Sequence, residues 1–154
     1  MNRFLSALAL ALAATPAAAQ SVSNCDWLAL AGNLVEPWET HSRTFANGAV
    51  RLALLDAMEP GAVPFHLLLL SPSGEEMGGR MCNVISLEPG FGFHNIFWDE
   101  LEAVYDPAVG LTFDIPVEIW IDTGNSVMRG LRVTMNQATG AVDAEILDGT
   151  EAAQ

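Results

Sequence analysis

The chain contains no lysine: its six basic residues are all arginine, set against 19 aspartates and glutamates. Nucleic acid and anionic lipid head groups are held by basic patches, so neither is an expected partner. Histidine is almost as scarce. His41, His66 and His94 stand too far apart for HxH, HxxxH or HExxH, and no zinc site is expected. There is no DxDxDG loop for calcium, no GxSxG elbow, and no serine beside an evident base. No cofactor and no metal is called for.

Long apolar runs are missing too. Phe4 to Ala14 is apolar but falls well short of the roughly 20 residues a bilayer core requires. It follows Arg3 and precedes Thr15-Pro16 and the small residues Ala17-Ala18-Ala19. A positive start, a short apolar centre and a small-residue site make residues 1–19 a cleavable signal peptide. No cysteine follows that site, which argues against a lipid anchor, so the expected location is periplasmic or secreted with no membrane anchor after cleavage. Cleavage before Gln20 leaves 20–154, the length of one domain, ending in a flexible tail over 148–154. Five arginines then oppose 19 acids, a net charge of −14 with histidines neutral.

Cys25 and Cys82 are the only cysteines. Export places them in an oxidising compartment, and two cysteines allow one disulfide. No CxxC is present and no neighbouring basic pair lowers a thiol pKa, so a tether is expected rather than a nucleophile.

The clearest pattern lies in the C-terminal half. Leu111, Phe113, Ile115, Val117, Ile119 and Ile121 alternate with Thr112, Asp114, Pro116, Glu118, Trp120 and Asp122. The same period of two recurs through Val127 to Asn136 and Val142 to Ile146, as half-buried strands require. Pairing Met135 with Val142 puts Val133 opposite Ala144, Leu131 opposite Ile146 and Arg132 opposite Glu145, a favourable cross-strand charge pair. Pro107 and Gly110 mark the turn between a strand at Glu102 to Asp106 and the one beginning at Leu111. Pro116 cannot donate to a ladder, so its strand is expected at an edge or to bulge there.

The N-terminal half carries four more strands. Asn47-Gly48 is a two-residue hairpin signal between Ser42–Ala46 and Ala49–Ala57. Val63 to Leu70 and Arg80 to Leu87 follow, separated by turns that include the acidic Glu75-Glu76. Cys25 to Leu34 reads as a short helix capped by Asn24. Pro89 to Glu100 reads as irregular. The expected fold is all-β: an antiparallel meander of about eight strands, closed as a small barrel or folded as a two-sheet sandwich.

One connection stands out. Gly90 to Glu100 packs four aromatics, a histidine and two acids into a stretch long enough to carry function. Phe93, His94, Phe97 and Trp98 are the candidate binding residues there, with Trp38 of Glu36-Pro37-Trp38-Glu39 as a second aromatic site. The competing reading tucks these rings under the sheet as core. His66 alternates with Leu68 and Leu70 and is expected partly buried with a backbone partner; His41 is expected to face solvent. These features favour a non-enzymatic binding or interaction protein, taking a small apolar ligand in a barrel or a cationic protein on an acidic loop. Two alternatives stand beside it. One is an enzyme assembled from His66 or His94 with Asp99 or Glu100; the other is a purely structural envelope protein. Intact-mass measurement of the exported protein should find a chain beginning at Gln20, and a chain still beginning at Met1 would overturn the signal assignment.

Overall fold

The computed structural model describes residues 20–73 and 78–147. The signal peptide read in 1–19, the Glu75-Glu76 turn and the tail 148–154 lie outside the described residues. Among the described residues ten strands form: β1 (Ser21–Asn24), β2 (Ser42–Phe45), β3 (Val50–Asp56), β4 (Phe65–Pro72), β5 (Arg80–Ser86), β6 (Asn95–Ile96), β7 (Glu102–Asp106), β8 (Gly110–Asp122), β9 (Asn125–Met135) and β10 (Val142–Leu147). All eight expected strands are present; β1 and β6 are the two short additions.

The strands form two antiparallel five-stranded sheets. The first runs β1-β5-β4-β3-β2, and the second runs β10-β9-β8 with β6 and β7 both pairing with β8. The pair makes a sandwich and does not close into a barrel, which corrects the barrel alternative. Two meanders form instead of one. Each supplies its own buried face, and Gln20 N–H donating to Ala144 O at 3.1 Å ties their margins at β1 and β10. Leu52, Leu54, Leu67, Leu69 and Ile85 of the first sheet pack against Phe113, Ile115, Val117, Leu131 and Val133 of the second. Removing each such side chain from water is worth about 1.5–3 kcal/mol, so the facing stripes hold the sheets together.

The first sheet is apolar on its other face too. Ala53, Leu55, Leu68 and Val84 point away from the sandwich core and are buried under Leu28. This explains why Val63 to Leu70 reads as an unbroken apolar run: a strand covered on both faces has no wet side to alternate with. The cover is the segment after β1. The Cys25–Cys82 disulfide, with Cα atoms 5.3 Å apart, pins it to β5, and Cys25 N–H donates to Cys82 O at 3.0 Å. The helix expected over Cys25 to Leu34 is two 3-10 turns, Trp27–Ala29 and Ala31–Asn33, and the capping side chain is Asp26 rather than Asn24. A segment lying across a sheet buries single residues such as Leu28 and gains nothing from a longer helical face.

Three local expectations are corrected. Ala46, Asn47 and Gly48 all have positive φ, so the β2–β3 connection is a wider turn than the two-residue hairpin read there. Pro116 lies inside β8, whose register shift comes later, between Trp120 and Asp122. Its carbonyl accepts from Phe97 N–H, and a strand residue's N and O point the same way, so its missing donor faces the gap between β7 and β6. The β9–β10 register is the expected one, with Arg132 opposite Glu145, but Arg132 turns to its other neighbour. Its Nε and Nη2 donate to the two oxygens of Asp114 at 2.8 and 2.9 Å, because a planar fork matches both oxygens at once. Replacing both Cys25 and Cys82 by Ala should lower unfolding free energy by about 4 kcal/mol in urea titration, by the loop-entropy argument. A loss under about 1 kcal/mol would mean that packing alone holds the outer cover.

Candidate functional site

Phe91 to Glu100 is where the chain leaves the first sheet and enters the second. Gly92 N–H donates to Val63 O at 3.0 Å, and Phe93 exchanges backbone bonds with Phe65 of β4 at 3.2 and 2.8 Å. One residue on, His94 N–H donates to Glu118 O of β8 at 2.8 Å, and Phe97 N–H donates to Pro116 O at 3.0 Å. The crossing is tight enough to demand glycine at its start. A Cβ on Gly92 would lie 2.2 Å from Phe65 O and 2.7 Å from Val63 O.

Beyond the crossing, the 3-10 turn Trp98–Glu100 brings the chain beneath the β2 margin. Trp98 is buried, and its Nε1–H donates to Thr40 O at 2.7 Å. Arg43 of β2 stacks 5.5 Å above the Trp98 ring and donates from Nη1 to Leu101 O at 3.1 Å. These contacts fasten segment 35–41 to segment 95–101. An open cleft of about 410 Å³ lies at their junction, lined by Val35, His41, Leu54, Phe65, Asn95, Ile96, Phe97, Trp98, Asp99 and Glu100.

Its floor is apolar and its wall is acidic. Leu54, Phe65, Ile96 and Trp98 come from β3, β4, β6 and the 3-10 turn, while Asp99 and Glu100 are exposed. Arginine is absent from the lining, since Arg43, the cation closest in the chain, is committed to Trp98 and the Leu101 carbonyl. The imidazole Nδ1 of His41 lies 3.2 Å from Pro37 O and 3.3 Å from Thr40 Oγ1, which holds the ring against its own turn.

The candidate residues separate. Phe97 and Trp98 line the cleft. Phe93 is fully buried in the sandwich core, as the competing core reading had it. His94 donates from Nδ1 to Ala62 O at 2.7 Å and is not among the lining residues. Trp38 stays 52% exposed outside the lining, its carbonyl accepting from Ser42 Oγ. The histidine that shares the cleft with Asp99 and Glu100 is therefore His41, and the enzymatic pairings of His66 or His94 with those acids are not assembled there. Leu54 and Phe65 went unread as site residues because each looks like ordinary strand core. Val35 lies between the expected short helix and Trp38, and Ile96 sits inside the flagged Gly90 to Glu100 connection without having been singled out. The flagged Gly90 to Glu100 stretch supplies six of the ten lining residues, whereas the flagged Glu36–Glu39 stretch supplies none and lies between the lining residues Val35 and His41.

His66 belongs to the opposite face of the first sheet. It is fully buried, with Nδ1 2.7 Å from Ser86 Oγ, so its partner is a side-chain hydroxyl rather than backbone. A serine and histidine at that distance resemble a nucleophile and its base. Ser86 is only 2% exposed, however, and the pair is sealed from any substrate. Nε2 has no hydrogen-bond partner, and a Cβ on Gly92 would come within 2.9 Å of it. Among the described residues, no three metal-ligating side chains come together.

Burial holds the His66 imidazole below its ordinary value of 6.5, opposed in part by the negative charges of Asp26 and Asp56. The unfolded chain therefore takes up this proton first as pH falls. The stability His66 contributes is intact above about pH 6.5 and drains away as pH drops from there through the lowered folded-state value. Urea midpoints at pH 7.5 and pH 5 should show a smaller acid-side loss for His66→Leu than for the parent, whatever the baseline change. An equal acid-side loss in both would place the sensitivity elsewhere.

No protein-family model matches this chain, nor does any curated protein or solved structure, so its function has to be read from the cleft itself.

Proposed function

We propose that this is a non-enzymatic binding module of the periplasm or external medium, whose open cleft takes a basic, partly apolar element of a cationic protein. The observation that carries this reading is the composition of the cleft. An apolar floor of Leu54, Phe65, Ile96 and Trp98 adjoins the exposed carboxylates Asp99 and Glu100, with no arginine lining it. Lys and Arg side chains are suited to such a place, since their stems lie on apolar surface while their heads stay wet beside carboxylates.

The charge of the whole chain supports the same partner. Among the described residues one ion pair forms, Arg132–Asp114, which leaves most of the described acids without an ion-pair partner. Such a field speeds encounter with basic proteins and repels acidic ones. The Cys25–Cys82 bond fits an oxidising compartment. A small apolar cargo has less support, because Leu52, Leu67, Phe113 and Leu131 fill the space between the sheets that a barrel lumen would have occupied. A catalytic reading lacks a hydroxyl or thiol nucleophile in the cleft; the Ser86–His66 pair lies elsewhere and is closed off.

The test uses an eight-residue peptide of alternating Lys and Val, titrated by calorimetry at low salt. The double variant Asp99→Asn, Glu100→Gln should weaken binding about tenfold, or about 1.4 kcal/mol. The charge-matched control Glu88→Gln, Asp143→Asn, both exposed and outside the cleft, should weaken it less than twofold. Equal losses in the two variants would mean that the peptide senses only net charge, and the cleft would lose its role.

A further inference from the structure

The chain that lines the cleft runs on into a strand whose outer side has no pairing partner among the described residues. β7 follows the Trp98–Glu100 turn after Leu101, and two residues of extended chain, about 7 Å, separate Glu100 from Glu102. On one side β7 pairs with β8 in continuous register from Glu102↔Asp114 to Asp106↔Gly110. On its other side no strand pairs with it among the described residues. All five of its residues are exposed, with Val104 at 62% and Tyr105 at 59%.

A free edge of this kind shows a row of unpaired N–H and C=O groups, and proteins usually blunt it with Lys, Pro, a bulge or a covering loop. Glu102-Ala103-Val104-Tyr105-Asp106 contains neither Lys nor Pro, and its register is unbroken. The opposite margin of the sandwich is treated differently, since there Gln20 bonds to Ala144 and β1 meets β10. What β7 does carry is a carboxylate at each end. A two-fold antiparallel pairing of two copies about Val104 would place Glu102 opposite Asp106 twice, and like charges directly opposite destabilise a ladder. The edge therefore disfavours its own copy. A strand with basic residues at those two positions turns each repulsion into attraction.

We infer that the β7 edge receives an extended basic segment of the partner as an added strand, and that the same segment sends a side chain into the adjoining cleft. This rests on the cleft reading above and specifies how the partner is held. Main-chain bonds to β7 supply affinity in any sequence, Glu102 and Asp106 select basic residues, and the cleft with Asp99 and Glu100 reads the next side chain along. The partner is thus recognised in extended form, as an edge strand or an unfolded stretch, and not as a helix.

The same alternating Lys–Val peptide tests this, alongside a fully N-methylated copy that keeps the charge but donates no backbone hydrogen bond. The parent peptide should slow hydrogen exchange at least tenfold at those amides of 102–106 that face the open edge. The N-methylated copy should bind at least tenfold more weakly, and so should the parent peptide to a Glu102→Lys, Asp106→Lys variant. Comparable affinity for both peptides, or unchanged exchange over 102–106, overturns strand addition. If Asp99→Asn, Glu100→Gln still selectively weakens binding in that event, the cleft reading stands without it. Absence of binding by either peptide overturns both.

Discussion

The double-sided burial of β3 and β4 is the constraint on which the rest of this structure depends. Leu52 and Leu54 face the second sheet while Ala53 and Leu55 face the opposite way, and Leu67, Leu69 and Leu68 repeat the division on β4. Neither strand has a face that tolerates water, so the first sheet requires two covers. The second sheet is one, made from β6 to β10. The other is the short segment around Leu28, which is tethered by Cys25–Cys82.

The chain must pass from one sheet to the other, and the candidate cleft forms beside the place where it does so. Between Phe93, bonded to β4, and His94, bonded to β8, the backbone switches sheets within a single residue. Phe93 falls into the core at this switch, and the residues that follow are carried along the sandwich margin. Trp98 is then fastened to Thr40 and Arg43 from the other side. The cleft is the space these two segments leave between them. Its apolar floor is the margin of the buried core, with Leu54, Ile96 and Trp98 all belonging to that core, and its acids come from the turn that redirects the chain into β7.

Charge is used unevenly. Arg132 is spent on Asp114, Arg43 on an aromatic ring and a carbonyl, and Arg80 on the Gly48 carbonyl. The Arg132–Asp114 pair is about 40% exposed on both sides, where such pairs contribute roughly 1 kcal/mol or less. With so few cations and most of them occupied by local contacts, the acidic surplus is felt outward, toward whatever approaches the margin carrying Asp99, Glu100, Glu102 and Asp106.

Local rules were enough for much of this. Alternation marked β8, β9 and β10, and facing set the β9–β10 register to the residue, because a slip of one would turn Val133 and Leu131 outward. Two cysteines leave one pairing to consider. Sandwich against barrel, the cover over Ala53 and Leu68, the choice of Asp114 over Glu145 by Arg132, and the joining of His41, Leu54 and Phe65 to Phe97 and Trp98 were decided only in three dimensions. The reason is common to all four. Periodicity and turn chemistry report which way a side chain points relative to its own strand. Which partner lies there depends on how two sheets far apart in the chain stack on one another, and no local preference encodes that distance.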